Sequence, residues 1–237
     1  AIAGGGSFIT FPALIAAGVP PISANATNTY ASCAGYISGA LGFRHELWAH
    51  RKLLPRVVLS SVLGGALGAW LLIQTSPQTF AVAIPWLLLF ATVLLVYGHR
   101  LQAALRDWFG RSAKASALGM LAFSFALLAI STYGGFFNAG LGIILLGFLT
   151  LAGYTDVHVM NGIKLLVSAV VALIAVMIFA SEQLIAWYQG SIVLVGTLLG
   201  GYGAAITAKW VNPLWIRRLM ILIAGVTTAY FFAASMG

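Results

Sequence analysis

Long apolar runs, separated by short polar or glycine-proline breaks, most constrain what this 237-residue sequence can fold into. Hydrophobic residues make up 61% of it and charged residues only 7%, whereas a soluble globular domain carries about 25% charged residues. A chain so poor in charge cannot cover a water-exposed surface. Because a spanning helix needs roughly 20 apolar residues, the sequence predicts an all-α polytopic membrane protein of about eight spans, without a soluble domain.

The positions of the apolar runs define the predicted spans. We place them at 1–17, 24–43, 57–74, 79–98, 117–136, 139–152, 159–180, 190–208 and 218–235. The runs 1–17 and 139–152 are too short for ordinary spanning helices. The run 139–152 follows 117–136 after Gly134 and Gly135, and this order predicts the second half of a broken helix.

The net charge of +8 is concentrated in a few loops. Basic residues lie in the loops 44–56, 99–116 and 209–218, whereas the loops 75–78 and 181–189 contain none. The positive-inside rule places the three basic loops on the cytoplasmic side. Membrane topology therefore explains the positive charge, and nucleic acid is not predicted as a partner.

The two halves of the chain are similar to each other. A shift of 136 residues, as from Asn25 to Asn161, aligns them without a gap. The loop after Phe43 is basic, whereas the equivalent loop after Phe179 has no basic residue. Equivalent loops on opposite sides of the membrane are typical of the inverted-topology repeats of secondary transporters.

The repeat divides the chain into three predicted segments. Residues 1–101 form repeat 1, residues 102–136 form a cytoplasmic linker and the first helix of repeat 2, and residues 137–237 form the rest of repeat 2. The helix 117–136 has no counterpart in repeat 1. We expect the matching helix upstream of Ala1, and a linker role for 117–136 is the alternative.

Small residues recur at every fourth position in the third element of each half. Such spacing lets helix backbones approach closely, either for packing within one protomer or for a homodimer interface. The residues are Ser60, Gly64 and Gly68 in the first half and Gly196, Gly200 and Ala204 in the second.

Glycine-rich stretches lie near the start of both repeats. A glycine costs about 1 kcal/mol relative to alanine within a helix, and a helix break in a membrane survives only where protein buries it or where it lines a cavity. Helix ends at a break expose N–H groups that favour anions, although close packing also explains glycine. The predicted helix-break or gate residues are Gly4, Gly5, Gly6, Ser7, Asn138, Gly140 and Gly142.

Lys164 is the only basic residue within a predicted span. A charge at the centre of a span costs about 2.5–3.5 kcal/mol on insertion scales. Lys164 follows Asn161 by three positions, so both lie on one helix face. We predict two half-sites that converge at a pseudo-twofold axis and bind a small anion, with snorkelling of Lys164 to the interface as the alternative. Their residues are Asn25, Thr27, Asn28, Asn161 and Lys164.

All four acidic residues lie in loops or at span ends, so no carboxylate relay is visible within the spans. They are Glu46, Asp107, Asp156 and Glu182. Asp156 is predicted to cap the helix 159–180, and proton coupling through His158 stays open because histidine titrates near neutrality. The sequence has no paired acids, Cys-His cluster or nucleophile elbow, so we expect neither an enzyme nor a bound metal or cofactor.

Several glycine-rich and asparagine-containing motifs follow one another along nearly the whole chain. They are Gly4 to Asn28, Ser38 to Arg44, Gly64 to Gly68, Asn161 to Lys164 and Gly200 to Ala204. In this order they resemble the sulfite exporter TauE/SafE family, also called the toluene sulfonate uptake permease family. The second half departs from the pattern, because Leu141 replaces the middle glycine and Phe148 aligns with Pro12. This difference predicts two unequal half-sites.

The resemblance implies a permease of the bacterial inner membrane that moves sulfite or organosulfonates such as sulfoacetate. We expect a secondary transporter that exports this small anion by alternating access, with the anion and the lipid bilayer as its partners. The alternatives are an anion channel of the same architecture and a transporter of another anion such as thiosulfate or sulfate.

Overall fold

The computed structural model describes the backbone of residues 6–109, 117–207 and 213–236, and the side chains of residues 6–98, 120–200 and 218–233. Every regular element within these ranges is a helix, which confirms the predicted all-α class. In chain order the helices are α1 (Ser7–Ala16), α2 (Pro21–Gly42), α3 (Arg44–Ala49), α4 (Leu54–Gln74), α5 (Pro77–Phe109), α6 (Ala117–Phe136), α7 (Leu141–Leu151), α8 (Val157–Ser181), α9 (Trp187–Thr207) and α10 (Pro213–Met236).

Each predicted span coincides with one helix. Within the described ranges, three helices are long and apolar enough to cross a membrane: Leu54–Gln74, Pro77–Gly98 and Val157–Ser181. Helix α2 is as long as these but carries asparagine, threonine and serine, which lower its hydropathy. The chain therefore folds as a polytopic membrane protein. Two details differ from the prediction, because α3 lies within the basic loop 44–56 and α5 continues beyond residue 101.

The predicted helix break is confirmed. Helix α6 ends at Phe136 and α7 begins at Leu141, so the break occupies residues 137–140. Gly140 has a φ of +83°, a left-handed conformation that interrupts a helix and that glycine adopts at little cost. Gly142 lies in the first turn of α7 and not in the break, which corrects its predicted position.

Neighbouring side chains fix the break from two sides. The hydroxyl of Tyr133, in the last turn of α6, donates to the carbonyl oxygen of Ala139 at 2.7 Å. On the other side, a methyl group added at Gly140 would lie 3.0 Å from Cβ of Ala91 in α5. The break is therefore packed against α5.

The short helices α1 and α7 end in the same way. Each is followed by a glycine with positive φ, Gly18 at +83° and Gly153 at +88°, and the next amide bonds back to the last helical turn, as in a Schellman motif. This correspondence supports two repeats. The glycines are 135 residues apart, whereas Asn25 and Asn161 are 136 apart, so the second turn contains one extra residue that the gap-free alignment missed.

Helices α2 and α8 run antiparallel beside each other. Gly39 of α2 faces Leu165 of α8, and Phe43 packs on Gly162 near the start of α8. Around this pair, α8 packs against α4 as α2 packs against α9, and α7 packs against α5 as α1 packs against α10. Exchanging the halves therefore preserves these contacts, which supports the repeat. The inversion of the halves relative to the membrane stays a prediction.

The predicted small-residue faces differ between the halves. A methyl group added at Gly64 or Gly68 would overlap the backbone of α6, so α4 and α6 are closely packed. At Gly196 and Gly200 of α9, no described atom lies within 4 Å of such a methyl group, and the side chain of Ala204 lies outside the described residues. Close packing within one protomer is confirmed for α4, and a homodimer interface stays a prediction.

The start of α8 confirms the predicted cap. A carboxylate oxygen of Asp156 accepts hydrogen bonds from the backbone N–H groups of His158 at 2.8 Å and Val159 at 3.4 Å. These bonds satisfy two of the N–H groups that a helix start leaves unpaired. They fix the point at which the chain leaves the turn after α7 and enters α8.

Candidate functional site

The buried polar face of α2 holds the end of α6. Asn25, Thr27, Asn28 and Thr29 are at most 2% exposed. The side-chain Nδ2 of Asn25 donates to the carbonyl oxygen of Phe136, the last residue of α6, at 2.9 Å. Because the last carbonyls of a helix have no partner within it, Asn25 satisfies a group that the break leaves unpaired.

Asn28 fastens the first turn of α1. Its Nδ2 donates to Oγ of Ser7 at 3.1 Å, and its Oδ1 accepts a hydrogen bond from the hydroxyl of Thr10. Both ends of the carboxamide are therefore bonded to α1. Ser7, a predicted gate residue, is the first residue of α1 and is buried.

Thr27 joins α2 to the turn before α9. Its Oγ1 accepts a hydrogen bond from the backbone N–H of Ala186 at 2.9 Å, and its methyl group faces Gly190. Like Asn25 and Asn28, it bonds to another element of the protein. The polar side chains of the first predicted half-site thus already have protein partners.

Lys164 is a buried cation that contacts no carboxylate among the described residues. It is 9% exposed, and its Nζ donates to Oδ1 of Asn161 at 2.8 Å. Asn161 is oriented in turn, because its Nδ2 donates to the carbonyl oxygen of Val157 at 2.9 Å. The stem of Lys164 passes the first turn of α7, where a methyl group at Gly142 would lie 3.4 Å from Cδ.

The electrostatics around Lys164 are those of an anion site. A buried charge is costly unless an opposite charge pairs with it, and the carboxamide of Asn161 supplies only a neutral oxygen. The N-terminus of α7, beside the lysine stem, adds partial positive charge of the same sign. An anion near both groups would lower the energy of each.

The two predicted half-sites do not converge. Leu165, next to Lys164, faces Gly39 of α2, and Gly39 lies 11 residues beyond Asn28. At 1.5 Å per residue, the half-sites are about 16 Å apart along α2. The reason is the antiparallel packing of α2 and α8, which puts the N-terminal turns of these two helices at opposite ends of the pair.

The break between α6 and α7 lies between the two half-sites. Asn138, within the break, is 4% exposed, and its Oδ1 accepts a hydrogen bond from the hydroxyl of Tyr36 in α2 at 3.4 Å. The ring of Phe137 meets that of Phe11 in α1 edge to face, with centroids 5.7 Å apart. The break therefore contacts both α1 and α2.

Sequence reasoning missed Tyr36 as a site residue. Its signal was the spacing from Asn25, since 11 residues correspond to about three helical turns and put both residues on one face of α2.

The predicted gate residues are distributed over both breaks. Gly4 and Gly5 lie outside the described residues, and Gly6 is exposed immediately before α1. Asn138 and Gly140 lie in the break before α7. Within the part of the chain that the structure describes, no group of three His, Cys, Asp or Glu side chains could hold a metal ion.

A bundle of apolar helices with a broken helix and a buried, unpaired cation in its interior has the architecture of a membrane transporter. The chain belongs to the sulfite exporter TauE/SafE family, whose model matches residues 1–231. The family predicted from the sequence motifs is therefore confirmed.

Curated relatives carry the same general description. A "Probable membrane transporter protein" of Haemophilus influenzae is 27% identical over 237 residues, which cover 97% of this chain and 87% of that protein. "Probable membrane transporter protein ORF9" of a Sinorhizobium species is 30% identical over 223 residues, covering 91% and 82%. "Probable membrane transporter protein YfcA" of Escherichia coli K12 is 26% identical over 240 residues, covering 100% and 85%. No solved structure matches the chain.

These similarities establish the class of the protein. It is a multi-pass membrane transporter of the TauE/SafE type, which acts on a small substrate within a lipid bilayer. The family and its relatives are described as transporters, in line with the expectation that the chain is not an enzyme.

Proposed function

We propose that the protein is a secondary transporter that exports sulfite or an organosulfonate such as sulfoacetate across the inner membrane by alternating access. The observation that carries this proposal is Lys164, a buried cation whose polar contact among the described residues is neutral and whose stem lies against the first turn of α7. The family description, a sulfite exporter, supports the substrate class.

Lys164 and α7 would act on the substrate together. The ammonium group supplies a full positive charge, and Coulomb attraction is stronger in the protein interior than in water. The N-terminus of α7 supplies oriented N–H donors. A sulfur oxyanion has several oxygens, so it can accept bonds from both at once, whereas a neutral solute gains nothing from the charge.

Alternating access would use the short helices α1 and α7. Each is bounded by glycines, Gly6 and Gly18 around α1 and Gly140 and Gly153 around α7. These positions can absorb the backbone rotation that a rocking helix requires. Asn28 ties α1 to α2 on one side of the break, so displacement of either short helix changes which side of the membrane reaches it.

A transport assay in proteoliposomes tests this function. Vesicles loaded with sodium sulfite should exchange it for external sulfite or sulfoacetate in a saturable manner with counterflow, and Lys164→Gln should abolish most of this flux. Lys164→Arg, which keeps the charge, should retain part of it. Linear flux with single-channel conductance would indicate the anion channel instead. Absence of flux for sulfite, sulfoacetate, thiosulfate and sulfate would contradict the proposal altogether.

The export direction depends on the orientation of the chain. A cysteine introduced at Gln78 should react with an impermeant thiol reagent from outside, and one introduced at Arg106 should react from inside. The reverse pattern would contradict the proposed topology. A proton gradient applied across the same vesicles tests coupling, because a coupled exporter should run faster when the gradient drives it.

A further inference from the structure

The backbone between α6 and α7 contains an unusual run of free hydrogen-bond donors. The amide N–H groups of Asn138, Ala139, Gly140 and Gly142 donate to no acceptor among the described residues, whereas that of Leu141 bonds to the carbonyl oxygen of Asn138 at 3.3 Å. Asn138, Ala139 and Gly140 are buried. Since buried backbone N–H groups are almost always paired, this run needs an acceptor from outside the chain.

The side chain of Asn138 adds a fifth donor. Its Nδ2 is buried and has no hydrogen-bond partner in the described part of the protein, although the residue is only 4% exposed. The other end of the same carboxamide is held, because Oδ1 accepts the bond from Tyr36. Tyr36 therefore orients the carboxamide, and the free nitrogen stays within the break.

The local conformation brings these donors together. Gly140 has φ +83° and ψ −8°, and a left-handed residue within a short turn produces a concave set of N–H groups that binds anions. The 11-residue helix α7 starts directly after it and adds the partial positive charge of its N-terminus. The stem of Lys164 passes Gly142, so a full positive charge lies on a side chain that borders the same turn.

We propose that residues 138–142 form an oxyanion subsite that binds the –SO₃ group of sulfite or of an organosulfonate; this assignment rests on the proposed transport function. The three oxygens of the group accept hydrogen bonds from Nδ2 of Asn138 and from the free amides, and Lys164 balances the negative charge. Asn138 changes from a gate residue to a substrate contact. Asn25, Thr27 and Asn28 become positioning residues that hold the helices around the subsite.

The geometry also predicts selectivity. A pyramidal –SO₃ group offers three oxygens to a concave set of donors, whereas a planar carboxylate offers two. A carboxylate of equal charge therefore leaves buried donors unpaired, and each unpaired donor weakens binding. We expect the subsite to prefer methanesulfonate over acetate by about tenfold or more.

Binding to the purified protein in detergent tests the subsite. Sodium sulfite, sodium methanesulfonate and sodium acetate are titrated by calorimetry and by thermal stabilisation. Asn138→Ala should weaken sulfite and methanesulfonate binding by at least about tenfold, because a hydrogen bond to a charged group is lost. Asn138→Asp, which places a carboxylate there, should weaken it further. If the aspartate variant does not fold, the alanine variant alone decides.

Ser131 offers a matched control. Its Oγ is also buried without a partner in the described structure, but it lies in the packed contact between α4 and α6. Ser131→Ala should bind sulfite as the unmodified protein does. If Asn138→Ala also binds normally while the unmodified protein transports sulfite, the subsite is wrong and the transport function stands. Equal affinity for acetate and methanesulfonate would overturn the –SO₃ assignment, and a protein that neither binds nor transports sulfur anions would overturn both proposals.

Discussion

Two buried polar regions of this protein differ in whether the protein itself satisfies them. On α2, the side chains of Asn25, Thr27 and Asn28 bond to α6, to the turn before α9 and to α1. At the break between α6 and α7, Nδ2 of Asn138 has no partner within the described residues, and Lys164 bonds to a neutral oxygen. The first region therefore holds helices together, and the second retains capacity for a ligand.

Position relative to a helix end explains this difference better than residue type. Asn25 and Asn138 are both asparagines, exposed by 1% and 4%. The amide of Asn25 lies opposite the C-terminus of α6, where unpaired carbonyls accept its bond. The amide of Asn138 lies at the N-terminus of α7, where the neighbouring free groups are other donors. Only an acceptor from outside the chain can satisfy it.

The largest expected effect is on ligand affinity and follows from Lys164→Gln. Glutamine can still bond to Asn161 but carries no charge, so we expect sulfite affinity to fall by about a hundredfold. The melting temperature without ligand should stay equal or rise, because an unpaired buried charge is removed. Calorimetric titration and thermal unfolding measure both quantities. Wild-type affinity in this variant would place the binding charge elsewhere.

The next effect separates the two asparagines by stability. Asn25→Ala removes the donor to Phe136, and the unpaired carbonyl should lower the free energy of unfolding by about 1–3 kcal/mol. Asn138→Ala removes a donor without a partner, so the loss without ligand should stay below about 1 kcal/mol. Chemical unfolding in detergent, with no sulfur anion present, provides the comparison. Equal losses in the two variants would remove the distinction between the regions.

The helices could be predicted well because apolar runs and their breaks are local properties of the sequence. Gly134-Gly135 followed by a short apolar run predicted the broken helix, and the structure has it. Helix α3 was missed because six residues are too few to reveal a helical period. The end of α5 was misplaced because bilayer thickness limits the apolar part of a helix and not the helix itself, which continues into the basic segment.

The site could be predicted only as a set of residue types. The repeat correctly singled out Lys164, a residue that the structure buries, but a linear repeat does not reveal that α2 and α8 are antiparallel, so the expected convergence with Asn28 failed. Asn138 was predicted for its place in a helix break. Its free donor emerges only when every neighbouring hydrogen bond has been assigned, which requires the tertiary structure.

A smaller effect tests the shape of the break. Gly140→Ala forces a left-handed φ on alanine and brings its methyl group against Ala91, so we expect a loss of about 1–2 kcal/mol in stability. Gly142→Ala lies within α7, where a methyl group makes ordinary contact with Lys164. Stability should there stay equal or rise by up to about 1 kcal/mol. Melting temperatures that fall equally in both variants would contradict the assigned boundary of α7.

The smallest effect tests the link between the two regions. Tyr36→Phe removes the 3.4 Å hydrogen bond to Asn138, which is long, so its loss should weaken sulfite binding only about threefold by letting the carboxamide rotate. Tyr30→Phe is the matched control on the same helix, because Tyr30 packs its ring on Trp187 and binding should not change. A loss in Tyr36→Phe as large as that in Asn138→Ala would show that the hydroxyl contacts the anion directly. The polar face of α2 would then supply a ligand contact as well as hold the helices, and the boundary between the two regions would move to Tyr36.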